Sequence, residues 1–401
     1  MESAGRGIVI TNLFPNAIER MRGQFVLQET QALRERHGYD LRVLAPLPWV
    51  PPFLRGKSRY PFSAVPATDS IEGFAVEYPR HIVTPGVLRF CYGDFLLWGV
   101  APHFARLHTA APADFVLAHY AFPDGYAAMR LAKRYGLPLL IKVRGSDVNL
   151  FTRGFARRRL TLDALRGADR VVAVSGALRD RLAQLGLPPE RVTVMPNGVN
   201  LERFTPRERA ASRRELGLPE EPFLFLFVGI LRPVKGLTTL LQAFRAIPEM
   251  ERRRARLVMI GAGNLEAELR DRIARFGMGD QVELRPPVPH AEIPRWLGAC
   301  DCLVLPSRME GYPNVLVEAL AARRPVIASR VGGIPEIVVE GESGLLVPPG
   351  EVWPLTDAML SMLAGFRFDD RRAGAARRRW EDVADEMHAL IQSMRAERGR
   401  A

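Results

Sequence analysis

Two glutamates and a glycine in residues 306–349 form a pattern that suits the binding of a sugar nucleotide. Glu310 and Glu318 have seven residues between them, and Gly311 directly follows the first. Gly311 lies in a loop before a predicted helix that begins at Pro313, a position where a missing N–H costs nothing. Helix N-terminal N–H groups favour a phosphate, and carboxylates accept hydrogen bonds from sugar hydroxyls. On residue types alone, a plain strand–helix–strand unit with surface glutamates explains the pattern about equally well.

Three further positions suit the same chemistry. Lys235 stands just before a predicted helix, where its ammonium could meet a phosphate. His119 ends the apolar strand FVLAH, and the carboxyl end of a parallel strand faces the ligand side of a sheet. Gly23 closes the loop after the first strand, where its missing side chain would let the backbone approach a phosphate. A structural histidine and a plain turn glycine remain the alternatives.

The elements that must position these residues alternate between apolar runs and helical stretches. Predicted strands in the N-terminal half are 8–12, 41–45, 74–78, 115–119, 139–143, 171–174 and 192–195. The same rhythm restarts at residues 223–228, an unbroken apolar run typical of a strand that is covered on both faces. We therefore predict two doubly wound α/β domains, 1–199 and 223–379, joined by a charged, proline-bearing linker at 200–222.

The end of the chain predicts an amphipathic helix over residues 380–396. Apolar side chains recur there at helical spacing, from Trp380 through Val383 and Met387 to Met394. Such a helix must bury one face, and the pattern alone does not say which domain receives it.

The net charge of +12 is concentrated in the first half of the chain. Residues 1–200 hold 26 Lys and Arg against 16 Asp and Glu. This excess attracts anionic partners such as a membrane surface, although an arginine-rich composition in general would explain it equally. Within residues 47–68, basic and aromatic residues stand together, which predicts either an interfacial loop or a solvated one. They are Phe53, Arg55, Lys57, Arg59, Tyr60 and Phe62.

Other bulk features narrow the class of protein. No window is apolar for long enough to span a bilayer, and we expect no signal peptide before the first strand. The three cysteines, Cys91, Cys300 and Cys302, give no disulfide framework, and we interpret them as small core residues in a reducing compartment. No further Cys or His spacing completes a metal site, so we expect no metal.

Residues 306–349 resemble the signature segment of family 4 glycosyltransferases, which have the GT-B fold. The matching pieces are the E-x7-E pair, PS..EG.PNVLVEALA, PVIAS.VGG.PE and G.LV.PG. The resemblance extends over nearly the whole chain. It implies an α/β protein of two Rossmann-like domains facing a central cleft, with the C-terminal helix 380–396 packing back on the N-terminal domain. It also implies a retaining, metal-independent transfer of sugar from a nucleotide-diphosphate donor to an acceptor hydroxyl.

The resemblance further implies a role for each matched residue. The donor-binding residues would be Gly23, Arg232, Lys235, Glu310, Gly311, Asn314, Val315 and Glu318. Of these residues, Glu318 would hold the ribose hydroxyls. The catalytic residues would be Glu310 and Lys235, together with His119. Relatives carry an arginine where this chain has Ile230, and Arg232 is the candidate replacement.

On the acceptor side, the resemblance implies Arg144 and Asp147. Both follow the predicted strand 139–143, in the sequence Arg-Gly-Ser-Asp. From the residues alone, the two could equally form a local ion pair.

The resemblance therefore implies a glycosyltransferase, and we expect it to act in cell-envelope polysaccharide or glycolipid synthesis. Its partners would be a nucleotide-sugar donor, a lipid-linked or glycan acceptor and, as a hypothesis, an anionic membrane surface. No cofactor is expected, and no base-reading motif suggests nucleic acid. We expect the protein in the cytoplasm, with the inner face of the cell membrane as a hypothesis. Because of Ile230, a non-catalytic nucleotide-sugar-binding protein of the same fold is the alternative.

Overall fold

The structure is a computed structural model that describes residues 4–51, 61–84, 88–369, 371 and 374–398. The chain forms two compact units. The first combines Met1–Asn197 with Trp380–Ala401, and the second is Gly198–Arg379. Each is built around a mainly parallel sheet with helices packed against it.

The first unit contains ten strands and seven helices among the described residues. The strands are β1 Arg6–Ile10, β2 Asp40–Leu44, β3 Leu47–Pro48, β4 Thr68–Ile71, β5 Phe74–Glu77, β6 Arg80–His81, β7 Phe115–His119, β8 Leu139–Val143, β9 Arg170–Ala173 and β10 Val192–Val194. The helices are α1 Gln24–His37, α2 Tyr92–Ala110, α3 Tyr126–Tyr135, α4 Ser146–Asn149, α5 Phe155–Arg166, α6 Gly176–Gln184 and, at the end of the chain, α14 Trp380–Arg398.

The main sheet of this unit has the order β10-β9-β8-β7-β1-β2-β5-β4. Only the edge strand β4 is antiparallel to its neighbour. The order runs outward in both directions from β1 and β7, so the connection reverses between them. In doubly wound sheets, ligands bind at the carboxyl ends of the strands beside such a reversal. The loops after β1 and β7 are therefore the positions to inspect.

The second unit contains strands β11–β16 and helices α7–α13 among the described residues. The strands are β11 Phe223–Val228, β12 Ala255–Ile260, β13 Val282–Arg285, β14 Cys302–Leu305, β15 Val326–Ser329 and β16 Gly344–Val347. The helices are α7 Arg209–Glu215, α8 Leu237–Ala246, α9 Glu249–Arg252, α10 Glu266–Arg275, α11 Ile293–Ala299, α12 Asn314–Ala321 and α13 Val352–Leu363.

The sheet of the second unit is parallel throughout, in the order β13-β12-β11-β14-β15-β16. The four middle residues of β11, Leu224 to Phe227, are buried, as an apolar strand covered on both faces must be. The reversal point lies between β11 and β14. Consequently, the loops after these two strands lie side by side at the carboxyl edge of the sheet.

The predicted linker is different in the structure. Residues 200–222 belong to the second unit, and helix α7 within them packs against α11. Arg213 of α7 is almost fully buried and donates to the Ala299 carbonyl at 2.9 Å and to Asp301 at 2.5 Å. The charged composition of residues 200–222 suggested a linker, but one of these charged residues, Arg213, is buried and bonded to the body of the second unit.

Helix α14 belongs to the first unit. Its apolar face, with Val383, Met387, Ile391 and Met394 buried, packs against α1 and joins the core of the β1–β2–β5 region. The chain therefore returns to its first unit after completing the second.

Two smaller expectations need correction. Phe62, predicted on an interfacial loop, packs partly buried against the first core, with the Arg22 guanidinium 5.2 Å from its ring centre. The rest of that predicted cluster, Phe53 to Tyr60, lies outside the described residues. Among the cysteines, Cys300 and Cys302 are buried core residues as predicted, whereas Cys91 is only half-buried.

Candidate active site

The loops after β11, β14 and β15 approach one another so closely that two glycines are required. Gly236 precedes α8 with φ of 68°, and a Cβ there would lie 2.0 Å from the Pro306 carbonyl oxygen. Gly332 follows β15 with φ of 53°, and its Cβ would lie 2.0 Å from the Glu310 carbonyl oxygen. No real Cβ tolerates such a distance, and positive φ also disfavours any other residue. The three loops therefore form one interlocked edge.

Hydrogen bonds between backbones fix the same loops. The Arg308 N–H donates to the Val234 carbonyl at 2.8 Å, and the Gly333 N–H donates to the Gly311 carbonyl at 3.0 Å. Gly311, in the loop after β14, is therefore tied to the glycine pair after β15. Its position relative to α12 does not depend on side-chain packing alone.

Lys235 and Glu310, predicted separately, meet at this edge. The Lys235 Nζ lies 2.6 Å from the Glu310 Oε1, and the Ser307 hydroxyl donates to the same oxygen at 2.6 Å. The two side chains are 22% and 10% exposed, so each still reaches the surface. A cation beside a carboxylate can attract the phosphate of one ligand while the carboxylate accepts hydrogen bonds from its sugar.

Glu318 lies on α12, within the helix that begins just after this loop. It is 8% exposed, and its Oε1 is 2.9 Å from the Nε2 of His290. On its other side, the Nδ1 of the His290 ring faces the Arg203 guanidinium at 3.1 Å. The Glu318–His290 pair cannot be predicted from the sequence, because 28 positions separate its two members.

The remaining predicted donor residues surround the same loops. Gly311, Asn314 and Val315 are half-buried, and α12 has no side-chain cap at its first turn. Arg232 is exposed just before the 3₁₀ turn Pro233–Lys235, and Ile230, which stands where relatives have arginine, is 53% exposed. Both side chains could therefore reach a ligand, but only Arg232 carries a charge.

In the first unit, the predicted Gly23 closes the loop after β1. It has φ of 61°, and a Cβ there would lie 2.1 Å from the Leu13 carbonyl oxygen. The loop therefore folds back on itself tightly, and the glycine is required for that turn whatever it binds.

His119, predicted as catalytic, lies in a buried charge cluster that sequence did not reveal. Arg144 donates to its Nδ1 at 2.8 Å and to the Glu29 Oε2 at 3.0 Å. Lys142 is also buried and lies 2.6 Å from the same Glu29 oxygen. The His119 Nε2 and the Glu29 Oε1 are 4.0 Å apart, and neither has a hydrogen-bond partner among the described residues.

Positive charge predominates in this cluster. Burial alone would raise the pKa of Glu29, but the cations of Arg144 and Lys142 lower it to about 2. Burial and then the Arg144 charge hold the pKa of His119 well below its usual 6.5, so the ring is neutral. Two cations therefore face a single carboxylate. His119 itself has no exposed surface, and its contact to a sugar stays a prediction.

The predicted acceptor residues Arg144 and Asp147 do not pair with each other through their side chains. Asp147 accepts hydrogen bonds from the backbone N–H groups of Ala121, Arg144 and Gly145, at 2.9–3.1 Å. Burial raises the pKa of Asp147, and these N–H groups offset part of that rise. Asp147 therefore has a structural task in fixing the loops after β7 and β8, whereas Arg144 reaches the buried cluster.

Asp124 is a further buried carboxylate that sequence reasoning missed. It follows β7 and accepts the Asn12 N–H at 2.6 Å, while its Oδ2 has no partner among the described residues. Burial raises the pKa of Asp124 to about 8. The only available signal was its place in the segment YAFPDG after a strand end.

Two features are absent from the described residues. No helix in them is both long and apolar enough to cross a bilayer. In the same residues, no group of three His, Cys, Asp or Glu side chains could hold a metal ion.

The families of known proteins that match this chain divide it as its two units do. The model described as "Glycosyltransferase Family 4" matches residues 23–203, and "Glycosyl transferases group 1" matches residues 208–379. The D-inositol 3-phosphate glycosyltransferase of Thermobifida fusca is 33% identical over 300 residues, which are 69% of each chain. The chain belongs to glycosyltransferase family 4. Its relative D-inositol 3-phosphate glycosyltransferase 1 of Catenulispora acidiphila is 33% identical over 359 residues, covering 82% of this glycosyltransferase and 83% of that one.

Solved structures agree on the fold of this glycosyltransferase. Sucrose-phosphate synthase from Thermosynechococcus elongatus superposes with a TM-score of 0.74 at 22% identity, over 98% of this chain and 97% of that one. HepE of Anabaena in complex with UDP-glucose gives a TM-score of 0.67 at 19% identity, over 98% of each chain. The predicted GT-B architecture of two Rossmann-like units is thereby confirmed.

Proposed function

We propose that this glycosyltransferase uses a nucleotide-diphosphate sugar whose donor site is the carboxyl edge of the second unit. The observation that carries the proposal is the Lys235–Glu310 pair, held at 2.6 Å beside the N-terminus of α12. Lys235, with the exposed Arg232 nearby, would stabilise charge that develops on the departing diphosphate. Glu310 and the Gly311 loop would bind the transferred sugar, and Glu318 the ribose.

The acceptor side of the reaction is proposed for the first unit. Its candidates are Arg144 and His119, beside Lys142 and Glu29, where two cations face one carboxylate. Such a cluster favours an anionic acceptor. The relatives named as D-inositol 3-phosphate glycosyltransferases support a phosphate-bearing polyol. A lipid-linked or glycan acceptor of the cell envelope, at the inner face of the membrane, is the other proposal that the test must include.

The mechanism we propose needs no resident metal and proceeds with retention of configuration. The glycosidic bond forms between the acceptor oxygen and the sugar's anomeric carbon, while the bond from that carbon to the diphosphate breaks. The acceptor proton leaves with the diphosphate, on whose oxygens the developing charge faces Lys235. What this chain supplies is position and charge, both of which can contribute several kcal/mol.

The test of the donor site is nucleotide binding by a Glu318 variant. Glu318→Ala should weaken binding of a nucleoside diphosphate by about 1.5–3 kcal/mol, the usual cost of losing hydrogen bonds to a charged group. Isothermal calorimetry measures this, with Glu266→Ala on the exposed face of α10 as the matched control. Unchanged affinity in the folded Glu318 variant would remove the ribose assignment.

The test of the reaction is nucleotide release from a panel of UDP-, GDP- and ADP-sugars. Inositol phosphate, sugar phosphates and lipid-linked glycans serve as separate acceptor arms. We expect one donor to release its nucleotide only with an acceptor, and Lys235→Ala to abolish most of that release. Binding of a nucleotide sugar with no release in any arm would contradict the acceptor classes proposed. Nuclear magnetic resonance of the product's anomeric centre decides retention.

A further inference from the structure

Exposed large apolar side chains are more numerous in the first unit than in the second. Among the described residues, eight of the eleven exposed large hydrophobic side chains belong to the first unit. Phe155 is 84% exposed, Trp98 65%, Leu88 49% and Phe90 48%. Single exposed hydrophobics are ordinary, but a group of them on one surface marks an interaction site.

The fold brings four of these side chains to neighbouring elements. Leu88 and Phe90 lie at the 3₁₀ turn Arg89–Cys91, which runs directly into α2. Helix α5, whose first residue is Phe155, packs against that same turn. Trp98 lies two turns into α2, and its ring centre is 5.7 Å from that of Phe95. The turn therefore stands where α2 begins and where α5 packs, and the four exposed side chains belong to these three adjoining elements.

Arginines surround this group with little opposite charge. Residues 150–162 contain four arginines and no Asp or Glu, and of these Arg153, Arg158 and Arg159 are exposed. Arg89 is exposed between Leu88 and Phe90. Two acidic groups stand close in sequence: Asp94, half-buried on α2, accepts from the Tyr126 hydroxyl at 3.0 Å, and Asp163 is 4.0 Å from Arg159 in a pair that water screens strongly. We name this set, Leu88, Arg89, Phe90, Trp98, Arg153 and Phe155, the α2–α5 surface.

We propose that the α2–α5 surface binds an anionic lipid bilayer. Aromatic rings with adjacent arginines match the interface of such a bilayer, where rings sit among headgroups and cations meet lipid phosphates. An acidic soluble polymer would use the arginines but would leave Phe155 and Trp98 without an apolar environment. This inference rests on the proposed function only for the lipid-linked acceptor, since membrane binding itself requires no substrate.

The experiment is flotation of the full chain with liposomes in the absence of substrate. Liposomes of phosphatidylcholine alone are compared with those containing a quarter phosphatidylglycerol, at low and high salt. We expect binding to the anionic liposomes only, reduced by salt. Arg89→Ser with Arg153→Ser should reduce the partition coefficient about fivefold for each arginine. Phe90→Ser with Phe155→Ser should reduce it at least tenfold at every salt concentration.

Matched controls and a competing ligand keep the proposal falsifiable. Met250→Ser with Arg253→Ser removes an equally exposed apolar–basic pair from the second unit and should leave flotation unchanged. Equal loss in that control, or wild type that stays with the soluble fraction at low salt, overturns the proposal. Binding to dextran sulfate that matches liposome binding and ignores Phe90 and Phe155 would instead indicate an acidic polymer. Nucleotide release with a soluble acceptor should be unchanged in all these variants, so failure of the membrane proposal and failure of the enzymatic one are distinguishable.

Discussion

At the scale of single residues, charge placement separates the two units. In the second unit the principal pair, Lys235 with Glu310, still reaches the surface and can exchange its partner for a ligand. In the first unit, Glu29 and Lys142 are buried and paired with each other, whereas the His119 Nε2 and the Glu29 Oε1 have no hydrogen-bond partner among the described residues. A buried ion pair costs more to break than it stabilises the fold when intact. The buried Glu29–Lys142 pair should therefore fix geometry, while the Lys235–Glu310 pair takes part in donor binding.

Lys235 should matter more for turnover than for binding. Its ammonium is needed most when charge develops on the diphosphate, so Lys235→Ala should lower kcat by about 10²–10³-fold. The affinity for the sugar nucleotide should fall much less. Steady-state kinetics together with calorimetry measure both quantities, and Lys133→Ala on the exposed face of α3 is the control. Equal losses in affinity and turnover would mean that Lys235 acts by ground-state binding alone.

Asp124 should make the stability of the first unit depend on pH. Its folded pKa of about 8 lies above the ordinary 3.8, so the folded state keeps a proton that the unfolded chain releases. The stabilisation from this group is complete below pH 3.8 and is lost as pH rises towards 8. Relative to Asp124→Asn, wild type should lose about 2–3 kcal/mol of unfolding free energy between pH 5 and 7.

Urea unfolding at a series of pH values measures that difference. Asp180→Asn is the control, because its carboxylate is 63% exposed on α6. If the Asp124 and Asp180 variants show the same pH profile as wild type, Asp124 is ionised in the folded protein. Comparing variants is necessary because His81, whose pKa burial lowers to about 4, changes stability in the opposite direction over part of this range.

At the scale of elements, close backbone approach decides the geometry of the donor loops. Gly236 and Gly277 make a matched pair, with φ of 68° and 62°. Gly277 has no atom within 4 Å of a Cβ position, whereas Gly236 faces the Pro306 carbonyl at 2.0 Å. Both substitutions to alanine therefore carry the same backbone strain, and they differ only in the space available.

Gly277→Ala should cost about 1 kcal/mol of stability, the usual penalty for a left-handed residue. Gly236→Ala should cost at least about 2 kcal/mol more, because the Pro306 loop must move. Nucleoside diphosphate binding should weaken in the Gly236 variant and stay unchanged in the other. Thermal unfolding and calorimetry report both effects, and equal behaviour of the two variants would show that the loops are not interlocked.

Sequence predicted elements better than it predicted their partners. The apolar runs that end at His119, Val143 and Leu305 are strands in the structure. They were predictable because continuous apolar runs that alternate with helical stretches are compatible with few folds other than a parallel α/β sheet. Conversely, Glu29 reads as an ordinary helical glutamate, and its bond to Lys142 spans 113 residues. Composition likewise suggested a linker where Arg213 is buried, because charge alone does not reveal a partner carbonyl.

At the scale of the whole molecule, the first unit depends on the end of the chain. Met387 and Ile391 of α14 are buried against α1, although more than 340 residues separate the two helices. Met387→Ala should therefore destabilise the first unit by about 2–5 kcal/mol, while Glu381→Ala on the exposed side stays within about 0.5 kcal/mol. Hydrogen exchange of α1 should accelerate only in the first variant. Slow exchange of α1 in both variants would mean that the unit is stable without this packing.

The interlocked loops of the second unit have a consequence for engineering. A designer who wishes to change the donor sugar would naturally graft one loop from another enzyme. Here the loop at residues 229–236 touches the Pro306 carbonyl, and Gly332 touches that of Glu310. A single loop from another enzyme would have a backbone conformation that fits different neighbouring loops, and it would clash with the two that remain. Chimeras should therefore keep activity only when all three segments are transplanted together, so that donor choice is inherited as a block.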